Sequence, residues 1–133
     1  MSEENVMLVR RALDALRRGD VEEMLPHLDP EVELHSAIVG GAEGNIYRGH
    51  EGCRRWFVDS FESFEEIRNE WSEIRDLGDR VLALGHVYAR GRESRVELDT
   101  AMGWIYTVRR GKLVKAEGFL SQDDALEAAG LPG

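Results

Sequence analysis

The chain is poor in cysteine, in proline and in positive charge. Its single cysteine, Cys53, excludes an intrachain disulfide and suits a reducing compartment. Three prolines and fourteen glycines fall mostly at element boundaries, and no low-complexity tract or internal repeat interrupts the 133 residues. Seventeen lysines and arginines stand against 26 aspartates and glutamates, a net charge of −9. An acidic surface repels phosphate backbones, so nucleic acid is not an expected partner. No apolar run approaches the ~20 residues needed to cross a bilayer. The opening Met-Ser-Glu-Glu-Asn lacks the basic and apolar regions of a secretory signal. The expectation is a soluble, cytoplasmic protein that meets no membrane.

Chemical signatures are also scarce. The four histidines show no His-x-His or His-Glu-x-x-His spacing, so no metal is expected. The serines form no nucleophile elbow. The glycine-rich stretch 40–45 lacks the Lys-Ser/Thr of a phosphate loop. No cofactor is expected. Cys53 faces the expected core with no activating partner, so it is assigned no nucleophilic role.

What remains is hydrophobic patterning, with 42% apolar residues in a length that fits one domain, residues 1–133. Val6, Val9, Leu13 and Leu16 recur at helical spacing over residues 3–18, with Ser2 as a cap and Gly19 as a stop. Asp20 and Glu23 have capping-box spacing and open a short second helix that ends at Asp29-Pro30. Val32, Leu34 and Ser36 then alternate with Glu31, Glu33 and His35 in a first strand ending near Val39. A third helix spans about His50 to Glu66, with Cys53, Trp56, Phe57, Ser60, Phe61 and Phe64 on its apolar face. Residues 68–77, 80–90, 95–109 and 112–120 read as strands, broken at Gly78-Asp79, Gly91-Arg92 and Arg110-Gly111. A last helix covers 122–129 after Ser121. The order ααβαββββα, with hairpin-connected and hence antiparallel strands, implies an α+β fold: a curved sheet wrapped around helices.

Four phrases occur in sequence along this pattern. They are Tyr47-Arg48-Gly49-His50-Glu51-Gly52, Asp76-Leu77-Gly78-Asp79-Arg80-Val81, Arg110-Gly111-Lys112-Leu113-Val114 and Ala125-Leu126-Glu127-Ala128-Ala129-Gly130-Leu131. With this element order, the chain resembles the SnoaL-like polyketide cyclase and ketosteroid isomerase-like branch of the nuclear transport factor 2-like superfamily. The resemblance implies a cone-shaped domain with an internal pocket for a small, apolar molecule. It implies fold more than chemistry, because this fold hosts isomerases, cyclases, epoxide hydrolases and non-catalytic binders.

Within such a cone, alternation places Leu82, Leu84, His86 and Tyr88 on one strand face, and Met102, Trp104 and Tyr106 on the face of the next. The expected ligand-binding residues are Trp56, Phe61, Tyr88, Met102 and Trp104, with Tyr47 at the rim. His35 and His86 are the expected catalytic residues. By resemblance, His35 falls near the base position of the isomerases and Trp104 near their oxyanion acid. His86, Tyr88 and Gly118 fall where the related epoxide hydrolases carry an Asp-Arg-Asp set, which is absent here. A neutral imidazole suits proton abstraction near pH 7. Two functions follow: an isomerase, cyclase or lyase acting by general acid–base catalysis on a carbonyl-like substrate, or a non-catalytic module that binds small hydrophobic ligands. Val81, Ala83, Gly85, Val87, Ile105, Thr107 and Phe119 would form an apolar outer patch, and a homodimer would cover it.

Overall fold

The computed structural model describes residues 2–36, 46–94 and 96–131. Helix α1 spans Ser2–Arg17 and α2 spans Val21–Met24, followed by a 3-10 turn, Leu25–His27. Strand β1 is Leu28–His35, β2 is Ile46–Arg48, and α3 is Gly49–Ser63. Strands β3 (Phe64–Asp76), β4 (Arg80–Gly91), β5 (Glu97–Arg109) and β6 (Lys112–Phe119) precede α4, Gln122–Ala128. The six strands form one sheet in the order β2-β1-β6-β5-β4-β3. It is a curved, unclosed α+β sheet, and the helices follow the expected order. The Ser2 side chain expected to cap α1, the end of the first strand near Val39, the glycine-rich stretch 40–45 and Arg95 lie outside what the structure describes.

Local chemistry accounts for most boundaries. Helix α1 buries Val9, Ala12, Leu13 and Ala15, and it ends in a Schellman motif. There the Asp20 amide donates to the Ala15 carbonyl at 3.0 Å and the Gly19 amide to that of Leu16 at 2.9 Å, with Gly19 at φ +70°. Asp20 caps α2 by accepting from the Glu23 amide at 3.0 Å. Arg110 and Gly111 both take positive φ, 53° and 73°, as a two-residue type I′ hairpin requires. Ser121 caps α4 through the Asp124 amide.

Two features were not legible in the pattern. First, α3 stops at Ser63, short of the expected Glu66. A distant side chain sets that end: the Arg92 guanidinium donates to the Phe61 and Phe64 carbonyls at 2.9 and 3.2 Å, satisfying acceptors that the last turn leaves free. Second, the sheet is mixed. Strand β1 pairs antiparallel with the short β2 but parallel with β6. Its register shifts between Leu28 and Glu33, which accommodates Pro30, a residue with no amide hydrogen to offer.

Both faces of the sheet are covered in part. On the concave face, α1 and α3 pack over Val81, Ala83, Val87, Met102, Trp104, Tyr106 and Ala116. On the convex face, α4 lays Ala125 and Ala129 on Leu82, Leu84 and Ile105. This corrects the expected orientation of β4. In the β4–β5 ladder, Ala83 stands opposite Trp104 and Gly85 opposite Met102, and directly opposed residues share a face. The side of β4 that faces the helices is therefore Val81, Ala83, Gly85 and Val87. The expected apolar outer patch loses its premise: its β4 members are buried in the main core, and Ile105 and Phe119 pack with α4.

Candidate functional site

A cavity of about 350 Å³ opens between the end of α1, the length of α3 and the concave face of the sheet. That volume is in the range of small-molecule sites. Its deep wall is Met102 and Trp104, which are 1% and 5% exposed. One side is Trp56, Phe57, Ser60 and Phe61 from α3, and another is Ile67, Arg68 and Asn69 from β3. Leu16, Arg17, Arg18 and Gly19 close the α1 end, and Ser36 follows β1. Phe61 is 48% exposed, which marks the mouth.

The aromatic wall is held by ring contacts. Trp56 meets Trp104 edge-on with centroids 6.3 Å apart, and Trp104 stacks on Tyr106 at 6.0 Å. Gly118 makes this possible. A Cβ there would lie 2.9 Å from two carbons of the Trp104 indole, so the large ring occupies the space that the missing side chain leaves. At Gly19 a Cβ would meet the Phe61 ring only in ordinary contact at 3.4 Å, so the positive φ of the helix end, not space at the mouth, calls for glycine there.

The uncharged polar groups of the wall are few. The Trp56 indole N–H donates to the buried Ser36 Oγ at 3.1 Å. Ser60 is 8% exposed, on the apolar stripe of α3. Asn69 lies between Ile67 and Trp71 on the concave side of β3, opposite Val87. The cations of the wall are engaged elsewhere. Arg17 and Arg18 both pair with Asp14, and Arg18 also with Glu23. Arg68 carries its guanidinium over the Tyr88 ring, 4.7 Å from the centroid, on the convex side. Among the described residues, no carboxylate and no imidazole lines the cavity.

Of the eight expected site residues, Trp56, Phe61, Met102 and Trp104 meet around this cavity. The other four stand outside it. His86 and Tyr88 lie on the convex face, where their rings lean on each other at 4.7 Å and His86 pairs with Asp99. On β4 the side expected to line the pocket is the convex one. His35 belongs to the Glu31–Glu33 side of β1, and its Nε2 sits 3.1 Å from Glu33 Oε1. The next residue, Ser36, is the one at the cavity. Tyr47 is buried in the core rather than at a rim, and its hydroxyl donates to Asp59 at 2.8 Å. Burial first, and Asp59 second, push its pKa up to about 12. Burial pushes the Cys53 thiol up to about 11, which leaves it protonated and unreactive at neutral pH. No group of three or more metal-ligating side chains is positioned to hold an ion among the described residues.

Ser36, Ser60 and Asn69 were missed as site residues, though each left a trace. All three are polar side chains on an otherwise apolar face, Ser36 after Val32 and Leu34, Ser60 beside Phe57 and Phe61, and Asn69 between Ile67 and Trp71.

The family model described as the SnoaL-like domain matches residues 9–116. No curated protein matches the sequence. Solved structures of the same fold do. An NTF2-like protein of Burkholderia xenovorans LB400 is 24% identical with a TM-score of 0.75, over 97% of each chain. A protein of Jannaschia sp. CCS1 assigned as a SnoaL-like polyketide cyclase is 15% identical with a TM-score of 0.76, over 99% of this chain and 95% of that one. TerC, co-crystallized with polyporic acid, is 21% identical with a TM-score of 0.77, over 96% of this chain and 98% of its own.

Proposed function

The chain belongs to the family of SnoaL-like domains, and on that premise we propose that it takes up a small, largely apolar molecule in the cavity between α3 and the concave face. One observation carries this reading: an aromatic wall with a few neutral polar groups encloses a space of ligand size. The crystallization of the neighbour TerC with polyporic acid supports it at the level of the fold.

Polyketide cyclase and isomerase-type chemistry is the activity class toward which the family and the fold point. It is the second reading. General acid–base catalysis needs a group that titrates within hydrogen-bond reach of the substrate. His35 and His86 stand on the other face of the sheet, bound to Glu33 and Asp99. Uptake and positioning therefore fit the cavity better than proton transfer by either histidine.

The test is a thermal-shift and tryptophan-fluorescence screen of terpenoid, steroid and polyketide-like compounds. A cavity-filling Ser60→Leu variant serves as the control. A compound that stabilises the wild type and quenches its fluorescence, with both effects lost in Ser60→Leu, supports the reading. Binding that survives the variant places the ligand elsewhere and rejects it.

A further inference from the structure

Two polar side chains of the cavity wall are left without partners. Ser60 is more than nine-tenths buried, yet among the described residues its hydroxyl makes no hydrogen bond. The Asn69 amide, half-buried on the opposing strand, makes none either. Both line the cavity. Both side chains are therefore available to pair with an occupant of the cavity. Ser36 differs, because its hydroxyl already accepts from Trp56.

The charge of that occupant follows from the cations. An anion held here would need a free guanidinium or ammonium in the wall. Arg17 and Arg18 are bound to Asp14 and Glu23, and the Arg68 guanidinium lies over Tyr88 on the other face. With no free cation and no carboxylate in the described wall, neither an acid nor an amine has a counter-charge.

We infer that the ligand is uncharged and carries a carbonyl or hydroxyl group, and that Asn69 determines specificity for it, with Ser60 as a second contact. The inference rests on the proposed uptake of an apolar molecule and narrows it to a chemical class. Asn69 offers two donors and an acceptor, and Ser60 one donor and two lone pairs. Either can donate to a carbonyl oxygen, and the aromatic wall receives the hydrocarbon body.

Three probes of similar shape separate the possibilities: 2-acetylnaphthalene, 2-ethylnaphthalene and 2-naphthoate, each titrated against the whole protein by tryptophan fluorescence at neutral pH. The ketone is expected to bind about tenfold more tightly than the hydrocarbon, the worth of one added hydrogen bond, and the carboxylate most weakly. Asn69→Leu should erase the gap between ketone and hydrocarbon, and Ser60→Ala should narrow it, with melting curves confirming that both variants fold. Equal affinity for ketone and hydrocarbon in the wild type overturns the inference while the uptake reading stands. Tightest binding of the naphthoate does the same, as does a gap that survives both substitutions. Failure of all three probes to bind removes the uptake reading as well.

Discussion

The two faces of the sheet are made from the same strands and do different work. The concave face is covered by α1 and α3 and keeps an open space lined by Trp104 and Met102. The convex face divides along its length. At one end α4 seals Leu82, Leu84 and Ile105 into a small second core, and at the other His86, Tyr88 and Asp99 meet solvent. Burial alone does not make a site: Leu82 is fully buried but is not among the residues that line this cavity. The concave face should therefore govern both stability and ligand uptake, the α4 end stability alone, and the His86 end neither.

The sharpest way to break this comparison is Trp104→Ala. It removes a 5%-exposed ring that both fills the core and walls the cavity. A loss of about 4 kcal/mol is expected in denaturant unfolding, together with loss of ligand binding. Leu82→Ala should cost about 3 kcal/mol, because the cavity left beneath α4 has no means of collapse, yet leave ligand affinity unchanged once the protein is folded. Binding lost in both variants to the same degree would mean that the faces are not separable.

Alkaline pH sharpens the contrast further. Cys53, on the buried side of α3, has its pKa raised from 9.0 to about 11, and Tyr47 of β2 has its pKa raised from 10.0 to about 12. In both, the folded state favours the neutral, protonated form. Their contribution is thus complete below pH 9, and it is lost as pH rises through 11 for Cys53 and through 12 for Tyr47. Unfolding free energy should drop by about 1 kcal/mol between pH 9 and 10, where of these two groups Cys53 dominates, and Cys53→Ala should abolish that first part of the fall while leaving the Tyr47 part above pH 10. The smallest effect belongs to His86→Ala, an exposed pair with Asp99: less than about 0.5 kcal/mol in stability and no change in ligand affinity. A loss of binding in this variant would restore the histidine to the site.

Half of the expected site residues reached the cavity, and the reason is physical. Trp56 and Phe61 were legible because a helix surrounded by polar residues has one apolar stripe, which can only point inward. Met102 and Trp104 were legible because charged Glu97 and Asp99 mark the other side of β5. Strand β4 offers no such contrast. Its residues Val81 to Gly85 are all buried, since helices cover both faces there, and a continuous apolar run carries no alternation from which to choose a side. Strand β1 did carry the information: Glu31 and Glu33 share the side of His35, and that alternation is a better guide than the resemblance that placed the histidine inside.

Composition, periodicity and turn chemistry were enough to determine the α+β class, the order of the helices and of the five longer strands, the hairpins and the aromatic character of the interior, because each depends on neighbours within a few residues; the three-residue β2 was too short to read. The tertiary structure alone decided which side of β4 faces the helices, where α3 ends, that β1 runs parallel to β6, and which polar groups are left unpaired at the cavity. Each of these is set by contacts between residues far apart in the chain, such as Arg92 with Phe61 or Ala83 with Trp104, and no local pattern encodes them.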